Sequence, residues 1–381
     1  MSDAPPRARD LGVPFDGAPG RWNALTDVPG VEVGLRTRIE GDPDDPTGGP
    51  VVRTGVTAVH PLGRDAEEGV AAGRFVLNGM GEMTGTAFLD EYGALYGPLA
   101  LTTTPSVGIV RDALIAWSRD RGLPDGVLRG RTKPVVSETW DGLLNDAYGQ
   151  HLTAEDAWAA LDSARSGPVP EGSVGGGTGM ISFGFKAGTG TASRVVEHPL
   201  GRFALGALVQ TNFGRRHQLR IAGVPVGREL QAPVPRLPRS ATPTGDRLDP
   251  GPQGDGSIVV ILATDAPLLP SQLGPLAKRA SLGLGRVGSI AATSSGDLFL
   301  AFSTANRSRY GARRLRRFDA LPTETLDPLF EATVESVEEA IVNALVAARP
   351  MTGYGRAYLP ALPHPALQAA LARFGRLSER S

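Results

Sequence analysis

The chain has 381 residues, 41 % of them hydrophobic and 21 % charged, with 50 glycines, 32 prolines and a formal charge of −1. That is the composition of a globular chain with many tight turns and a sizeable core, and it excludes a global basic field that would attract nucleic acid or an anionic membrane. With no cysteine, disulfide frameworks, thiol catalysis, iron–sulfur clusters and Cys-ligated zinc are excluded too.

Residues 1–22 are rich in Pro, Gly, Asp and Arg and read as an N-terminal arm. No apolar segment follows a basic start, and no apolar run approaches the ~20 residues of a membrane span, so the expectation is a cytoplasmic protein without a membrane partner. Gly41–Pro50 reads as an exposed turn. Val107, Val110, Leu114 and Trp117 recur at helical spacing and predict an amphipathic helix over Val107–Arg121. The run Gly172-Ser-Val-Gly-Gly-Gly-Thr-Gly179 is either a tight turn that lets backbones approach or a loop of amides facing an anion. Phe203–Gln210 predicts a strand. Gln231–Gly256 holds six Pro and four Gly with few residues able to form a core, and reads as a flexible linker. It stops at Ser257-Ile-Val-Val-Ile-Leu-Ala-Thr264, a buried strand by length and β-branching. Asp297–Ser303 predicts a second buried strand. Phe330–Ala348 predicts a helix with Phe330, Val334, Val337, Ile341 and Leu345 on one face and Glu331, Glu335, Glu338 and Glu339 on the other. Helices alternating with strands indicate a layered α/β or α+β fold.

The usual catalytic bases and motifs are missing. None of the five histidines stands in an HxH or HExxH spacing, and the chain contains no G-x-S-x-G elbow and no P-loop. What remains is a linker ending in Gly256 and a serine opening a core strand. Ser257 is then either a polar residue at a strand start or a nucleophile activated in another way. Were the Gly256–Ser257 bond cut, Ser257 would gain a free α-amine of pKa ~7.7–8, able to take the proton of its own hydroxyl. Attack of Ser257 on the Gly256 carbonyl could make that cut, and glycine offers no Cβ to obstruct it.

At this point several blocks in one order resemble a known family. They are Asn23-Ala-Leu-Thr-Asp-Val-Pro-Gly-Val-Glu-Val-Gly34, Asn78-Gly-Met-Gly-Glu-Met-Thr-Gly85, Ser106-Val-Gly-Ile-Val-Arg-Asp112 and Glu138-Thr-Trp-Asp-Gly142. Val174-Gly-Gly-Gly-Thr-Gly-Met180, Gln210-Thr-Asn-Phe-Gly214, Gly256-Ser-Ile-Val and Ser294-Ser-Gly-Asp-Leu-Phe-Leu-Ala-Phe-Ser-Thr-Ala-Asn306 follow. From about Asn23 to Gly353 the chain resembles the self-processing serine aminopeptidases that include the L-aminopeptidase/D-amidases and the β-peptidyl aminopeptidases. The resemblance implies a four-layer αββα sandwich, like the N-terminal nucleophile hydrolases but with its own topology. It implies one domain over 23–381, cut into an α chain, 1–256, and a β chain, 257–381, and assembled as a homo-oligomer, commonly a tetramer of αβ units.

Roles follow from the matched positions. Ser257 is similar to the family's N-terminal nucleophile, Ser295 and Asp297 to the pair that handles the α-ammonium, and Asn212 to the oxyanion-hole amide. Glu138 is similar to the carboxylate that pairs with the substrate's free amine, with Trp140 beside the reacting carbonyl where some relatives carry Tyr. Met80, Thr103 and Pro105 also depart from the commoner residues. The implied substrate is a small peptide, amide or amino-acid amide, hydrolysed through an acyl-enzyme with no metal and no organic cofactor. Two other readings stand beside it: an acyltransferase of the ornithine acetyltransferase type on the same overall fold, and a non-catalytic binding protein.

Overall fold

An apolar run with no polar side needs cover on both faces, and Ser257–Thr264 has it. In the computed structural model, which describes residues 5–378 except 46, 121–132, 231–234, 237–255, 312 and 314, alternate residues of this strand enter two different cores. Ile258, Val260 and Leu262 pack towards helices. Val259, Ile261 and Ala263 pack towards a second sheet. Almost all of the expected linker, Gln231–Gly256, lies outside the described residues.

The strands that matter for the site are β1 (Glu32–Glu40), β2 (Val52–His60), β3 (Gly69–Gly79), β4 (Ala94–Tyr96), β5 (Leu99–Thr103) and β6 (Val135–Thr139). After a short hairpin, β7 (Ile181–Ser182) and β8 (Phe185–Lys186), come β9 (Thr189–His198), β10 (Gly201–Asn212), β11 (Ser257–Thr264) and β12 (Gly296–Ser308). One sheet has the order β1-β2-β5-β6, the other β4-β3-β12-β11-β10-β9. Helices Val107–Asp120 and Ala154–Asp162 cover the four-stranded sheet, and helices Pro270–Arg286 and Asp327–Val346 cover the six-stranded one. The result is the expected αββα sandwich.

Three hydrophobic cores separate the four layers. Val56, Ala58, Ala100 and Val136 meet Val110, Leu114 and Trp117 under the first helix pair. Between the sheets, Val59, Leu99 and Leu101 meet Leu208, Val259, Ile261, Leu298, Leu300 and Phe302. Beneath the second helix pair, Val209, Ile258, Val260 and Phe299 meet Leu276, Ala280, Val337, Ile341 and Leu345. Each fully buried Leu, Ile, Val or Phe contributes roughly 1.5–3 kcal/mol of transfer free energy. β11 and β12 are parallel, joined over helix Pro270–Arg286, whereas β11 and β10 are antiparallel.

Helix Asp327–Val346 departs from the expected pattern. Glu339 is fully buried and Glu335 nearly so, rather than solvated. The reason is the segment read as an arm, which lies across this helix with Ala8, Leu11 and Val13 buried. Arg9 pairs with Glu339 at 2.7 Å, and the buried Arg194 of β9 pairs with Glu335 at 3.1 Å and Glu339 at 2.9 Å. Asn23 Nδ2 donates to the same Glu339 carboxylate at 2.6 Å. Burial pushes the Glu339 carboxyl up, but the Arg9 hydrogen bond and the two arginine charges outweigh it and hold it below its ordinary value. Helical spacing marked a face of glutamates; it could not show that cations arrive from elsewhere in the chain to bury them.

The glycine-rich run settles into the first of its two readings. Gly175 and Gly176 donate their amides to Thr37 Oγ1 at 2.8 Å and Thr57 Oγ1 at 3.0 Å, so these amides are spent inside the fold. A Cβ on Gly177 would lie 2.2 Å from the Thr189 nitrogen, which is the close backbone approach that only glycine allows.

Candidate active site

Ser257 opens β11 at the end of the sandwich, between two neighbouring strands. Across the β10 ladder its partner is Asn212. On the other side Ile258 pairs with Asp297 of β12. Ser257 is buried, and its Oγ accepts a hydrogen bond from the Gly296 N–H at 3.0 Å. The start of β12 therefore holds the hydroxyl through its main chain while Ser295 and Asp297 flank it.

Ser295 Oγ donates to Asp297 Oδ1 at 2.6 Å, and Asn78 Nδ2 donates to Asp297 Oδ2 at 3.0 Å. Both Ser295 and Asp297 are buried. Burial pushes the Asp297 carboxyl above its ordinary range, and only hydrogen bonds, from Ser295, Asn78 and the Ile258 main chain, oppose it. Among the described residues no cation pairs with this buried carboxylate, which lies on the strand next to Ser257.

Asn212 is held at both ends of its carboxamide. Its Oδ1 accepts from the Ile181 N–H at 3.0 Å, and its Nδ2 donates to the Trp140 carbonyl at 2.8 Å. One N–H of the amide is thereby placed, and the second has no hydrogen-bond acceptor among the described residues. Trp140 is 38 % exposed, the bulky group at the mouth of the site.

Glu138, at the end of β6, is buried rather than solvated. Its Oε1 accepts from the Glu82 N–H at 2.8 Å, and its Oε2 accepts from the Thr104 hydroxyl. Burial pushes its carboxyl up, against those two hydrogen bonds, and no basic side chain among the described residues pairs with it. Glycine is required at 296, where a Cβ would lie 2.6 Å from Gly81 Cα, and the fit at Gly81 is tight, its Cβ falling 3.1 Å from Gly296 Cα and 3.4 Å from Glu138 Oε1. The loop after β3 thus packs against the residue that holds Ser257 Oγ, bringing Glu138 into the same neighbourhood.

The ring nitrogens of His60, His151, His198 and His364 make hydrogen bonds with Leu161, Asp146, Thr325 and Val346 respectively. Among the described residues no imidazole is hydrogen-bonded to Ser257. Nor, among them, is any group of three or more His, Asp or Glu placed to hold a metal ion.

Sequence reading overlooked three contributors. Asn78, which binds Asp297, lies 219 residues away from it in sequence, so nothing in the chain pairs the two. Thr104 and the Gly296 main chain went unnoticed because a hydroxyl between Thr103 and Pro105, or a backbone amide, has no sequence signal of its own. Asp141 follows Trp140 and is fully buried, its Oδ1 accepting from Thr103 at 2.7 Å and Asn145 at 3.0 Å.

Comparison with known proteins agrees with this arrangement. The model of peptidase family S58 matches residues 23–358. The β-peptidyl aminopeptidase BapA of Sphingosinicella microcystinivorans is 49 % identical over 377 residues, 98 % of this chain and 93 % of that protein. A structure from Ochrobactrum anthropi, of an L-aminopeptidase D-Ala-esterase/amidase described as a prototype of the serine aminopeptidases and a variant of the Ntn hydrolase fold, superposes with a TM-score of 0.87. It is 45 % identical and covers 98 % of this chain and all of that one. A Burkholderia β-aminopeptidase superposes with a TM-score of 0.85 at 45 % identity, covering 97 % of this chain and 99 % of that one. Whole-chain agreement in sequence and in layer order leaves one conclusion: the chain belongs to peptidase family S58.

Proposed function

We propose that this serine-type aminopeptidase and amidase cuts its own Gly256–Ser257 bond and then removes N-terminal residues from small peptides, amides or esters through an acyl-enzyme on Ser257. The observation that carries the reading is the position of Ser257. It is the first residue of a central strand, with Asn212 across one ladder and, across the other, the Asp297 carboxylate, opposite Ile258 and without an ion-pair partner among the described residues.

In the self-cleavage step, Ser257 Oγ adds to the Gly256 carbonyl carbon, the C–N bond to Ser257 breaks, and the hydroxyl proton passes to the departing Ser257 nitrogen. The resulting ester is hydrolysed by water, leaving the Gly256 carboxylate and the Ser257 α-amine. The new ammonium answers the buried charge of Asp297, which Ser295 and Asn78 hold in place. In its neutral form the amine takes the Oγ proton as Oγ attacks a substrate carbonyl. The free N–H of Asn212 stabilises the oxyanion, and the ammonium returns its proton to the leaving amine. Water then hydrolyses the acyl-enzyme.

Glu138 explains the restriction to N-termini. A buried carboxylate lacking a cation favours a ligand that brings one, and a free substrate amine does so. Hydrolysis of unblocked aminoacyl p-nitroanilides, with no turnover of their N-acetyl forms, tests this. Equal turnover of both would overturn it. The panel includes β-linked residues, because the Sphingosinicella relative is a β-peptidyl aminopeptidase.

Assembly into a homo-oligomer of αβ units, a tetramer by family resemblance, and a cytoplasmic location belong to the same reading. Among the described residues no helix is long and apolar enough to cross a membrane. Light scattering on the purified material checks the assembly.

A further inference from the structure

Behind Asn212 lies a polar layer that the proposed chemistry does not use. At its centre is Lys186, one of three lysines in the chain and fully buried. Burial drives its ammonium towards the neutral form, with the Asp141 charge opposing. Its Nζ donates to the main-chain carbonyls of Ala187 at 2.6 Å and Met180 at 2.8 Å, and reaches that of Gly177 at 3.5 Å. A buried ammonium held by carbonyls alone is an expensive way to fill space, and an apolar side chain would pack there at lower cost.

The carbonyls it binds belong to the segment that controls Asn212. Met180 is followed by Ile181, whose N–H fixes Asn212 Oδ1. The Met180 side chain is held as well, because Thr139 Oγ1 contacts its sulfur at 2.9 Å and Gln210 Nε2 donates to the same Thr139 hydroxyl at 2.8 Å. Thr139 in turn precedes Trp140, whose carbonyl fixes Asn212 Nδ2. Both anchors of the carboxamide therefore run back to one buried layer. An amide turned over would set Oδ1 against the Trp140 carbonyl and Nδ2 against the Ile181 N–H. Orientation is enforced at both ends, and at the Oδ1 end it depends on Ile181 staying where the Met180 clamp puts it.

We infer that Lys186 is a positioning residue: by clamping the Gly177–Met180 carbonyls it locks Ile181 N–H onto Asn212 and so aims the free amide N–H of Asn212 at the reacting carbonyl. This rests on Asn212 serving the oxyanion, and the test separates the two claims. Lys186→Met, Asn212→Ala and the double variant are compared by kcat and KM per mature active site. The expectation is that Lys186→Met lowers kcat about 10–100-fold, a size typical of a misaimed catalytic donor, with KM within about threefold of wild type. In the Asn212→Ala background the same substitution should change kcat less than about threefold, because its route is already gone. A Lys186→Met enzyme with wild-type kcat per site, or an effect of undiminished size in the double variant, overturns the inference. Asn212→Ala with wild-type kcat overturns the oxyanion reading itself. Where Lys186→Met fails to accumulate folded, Lys186→Gln, which keeps a donor for the Met180 carbonyl, enters the same cycle under the same criteria. Where mature enzyme is scarce, the cycle is read on the rate of chain cleavage.

Discussion

Asn212 and Gly256 meet so closely that the second can only be glycine: a Cβ built on Gly256 would lie 1.5 Å from the Asn212 main-chain oxygen. This follows from register. Asn212 is the ladder partner of Ser257, so the residue before Ser257 runs against the end of β10. The bond to be cut is thereby pinned beside the side chain proposed to stabilise its tetrahedral intermediate.

Gly256→Ala should therefore block maturation. Its side chain cannot be placed without moving the end of β10 or displacing the scissile carbonyl, and a misplacement of about 1 Å can cost 10²-fold in such a step. Denaturing electrophoresis should show a single chain of 39.8 kDa, with hydrolysis reduced in step with the uncut fraction.

Asn212→Ala should lower kcat by about 10²–10³-fold, or ~3–4 kcal/mol, with a smaller change in KM, since the lost donor acts on charge that develops only in the transition state. Self-cleavage should slow as well, because the same N–H serves that intermediate. Steady-state kinetics per titrated site and a time course of chain cleavage check both.

Glu138→Gln should raise KM for unblocked peptides by tenfold or more and abolish discrimination against N-acetylated ones, since a neutral amide no longer answers the substrate's ammonium. The wild-type pH profile carries the same information. Burial raises the Glu138 carboxyl in the free enzyme, so kcat/KM should fall as pH drops through that raised value, above the ordinary glutamate range. Measuring kcat/KM against pH for both proteins isolates this limb, which Glu138→Gln lacks.

Asp141 should impose a pH dependence on stability. Burial pushes its carboxyl up to about 6, from an ordinary 3.8, despite hydrogen bonds from Thr103 and Asn145. The folded state thus holds this proton more tightly than the unfolded state does. The contribution to stability is full below about pH 4, falls as pH rises towards 6 and is flat above, a loss of roughly 3 kcal/mol at 1.36 kcal/mol per pKa unit. Glu171, pushed up to about 7 chiefly by burial and against the Arg7 charge, adds to the decline at its upper end. Lys186, which burial drives towards its neutral form, contributes in the opposite sense, so the check is a difference between two proteins: urea midpoints from pH 4 to 6, taken in the single-chain Ser257→Ala background, should lose a declining component of this size on Asp141→Asn.

Much of the layer order could be read from the chain, because it is written in local patterns. Ser257–Thr264 is apolar from Ile258 to Ala263, which is what a strand covered on both faces requires, and Val107–Asp120 carries its core residues at helical spacing. The ends of strands were harder. β10 runs to Asn212 and β12 to Ser308, beyond the apolar stretches that marked them, because main-chain pairing continues where the side chains turn polar, several of them, such as Thr211 and Thr304, still buried. Ser257, Asn212, Ser295, Asp297, Glu138 and Trp140 were picked out by family resemblance, and their chemistry came from side-chain type. What stayed hidden depends on distant chain segments meeting. Arg9 and Arg194 bury Glu339, Asn78 reaches Asp297, and Lys186 braces the segment beside Asn212, none of which leaves a periodic trace.

The central claim is that a newly freed α-amine at residue 257 supplies the base. Intact-mass and N-terminal analysis of the purified wild-type chain and of Ser257→Ala, each paired with an aminoacyl p-nitroanilide assay, addresses it most directly. The account predicts a wild-type β chain beginning Ser-Ile-Val-Val and turning over substrate, and a Ser257→Ala chain that stays whole and inert. A wild-type chain that remains whole yet hydrolyses substrate, or a Ser257→Ala chain that retains activity, would contradict it.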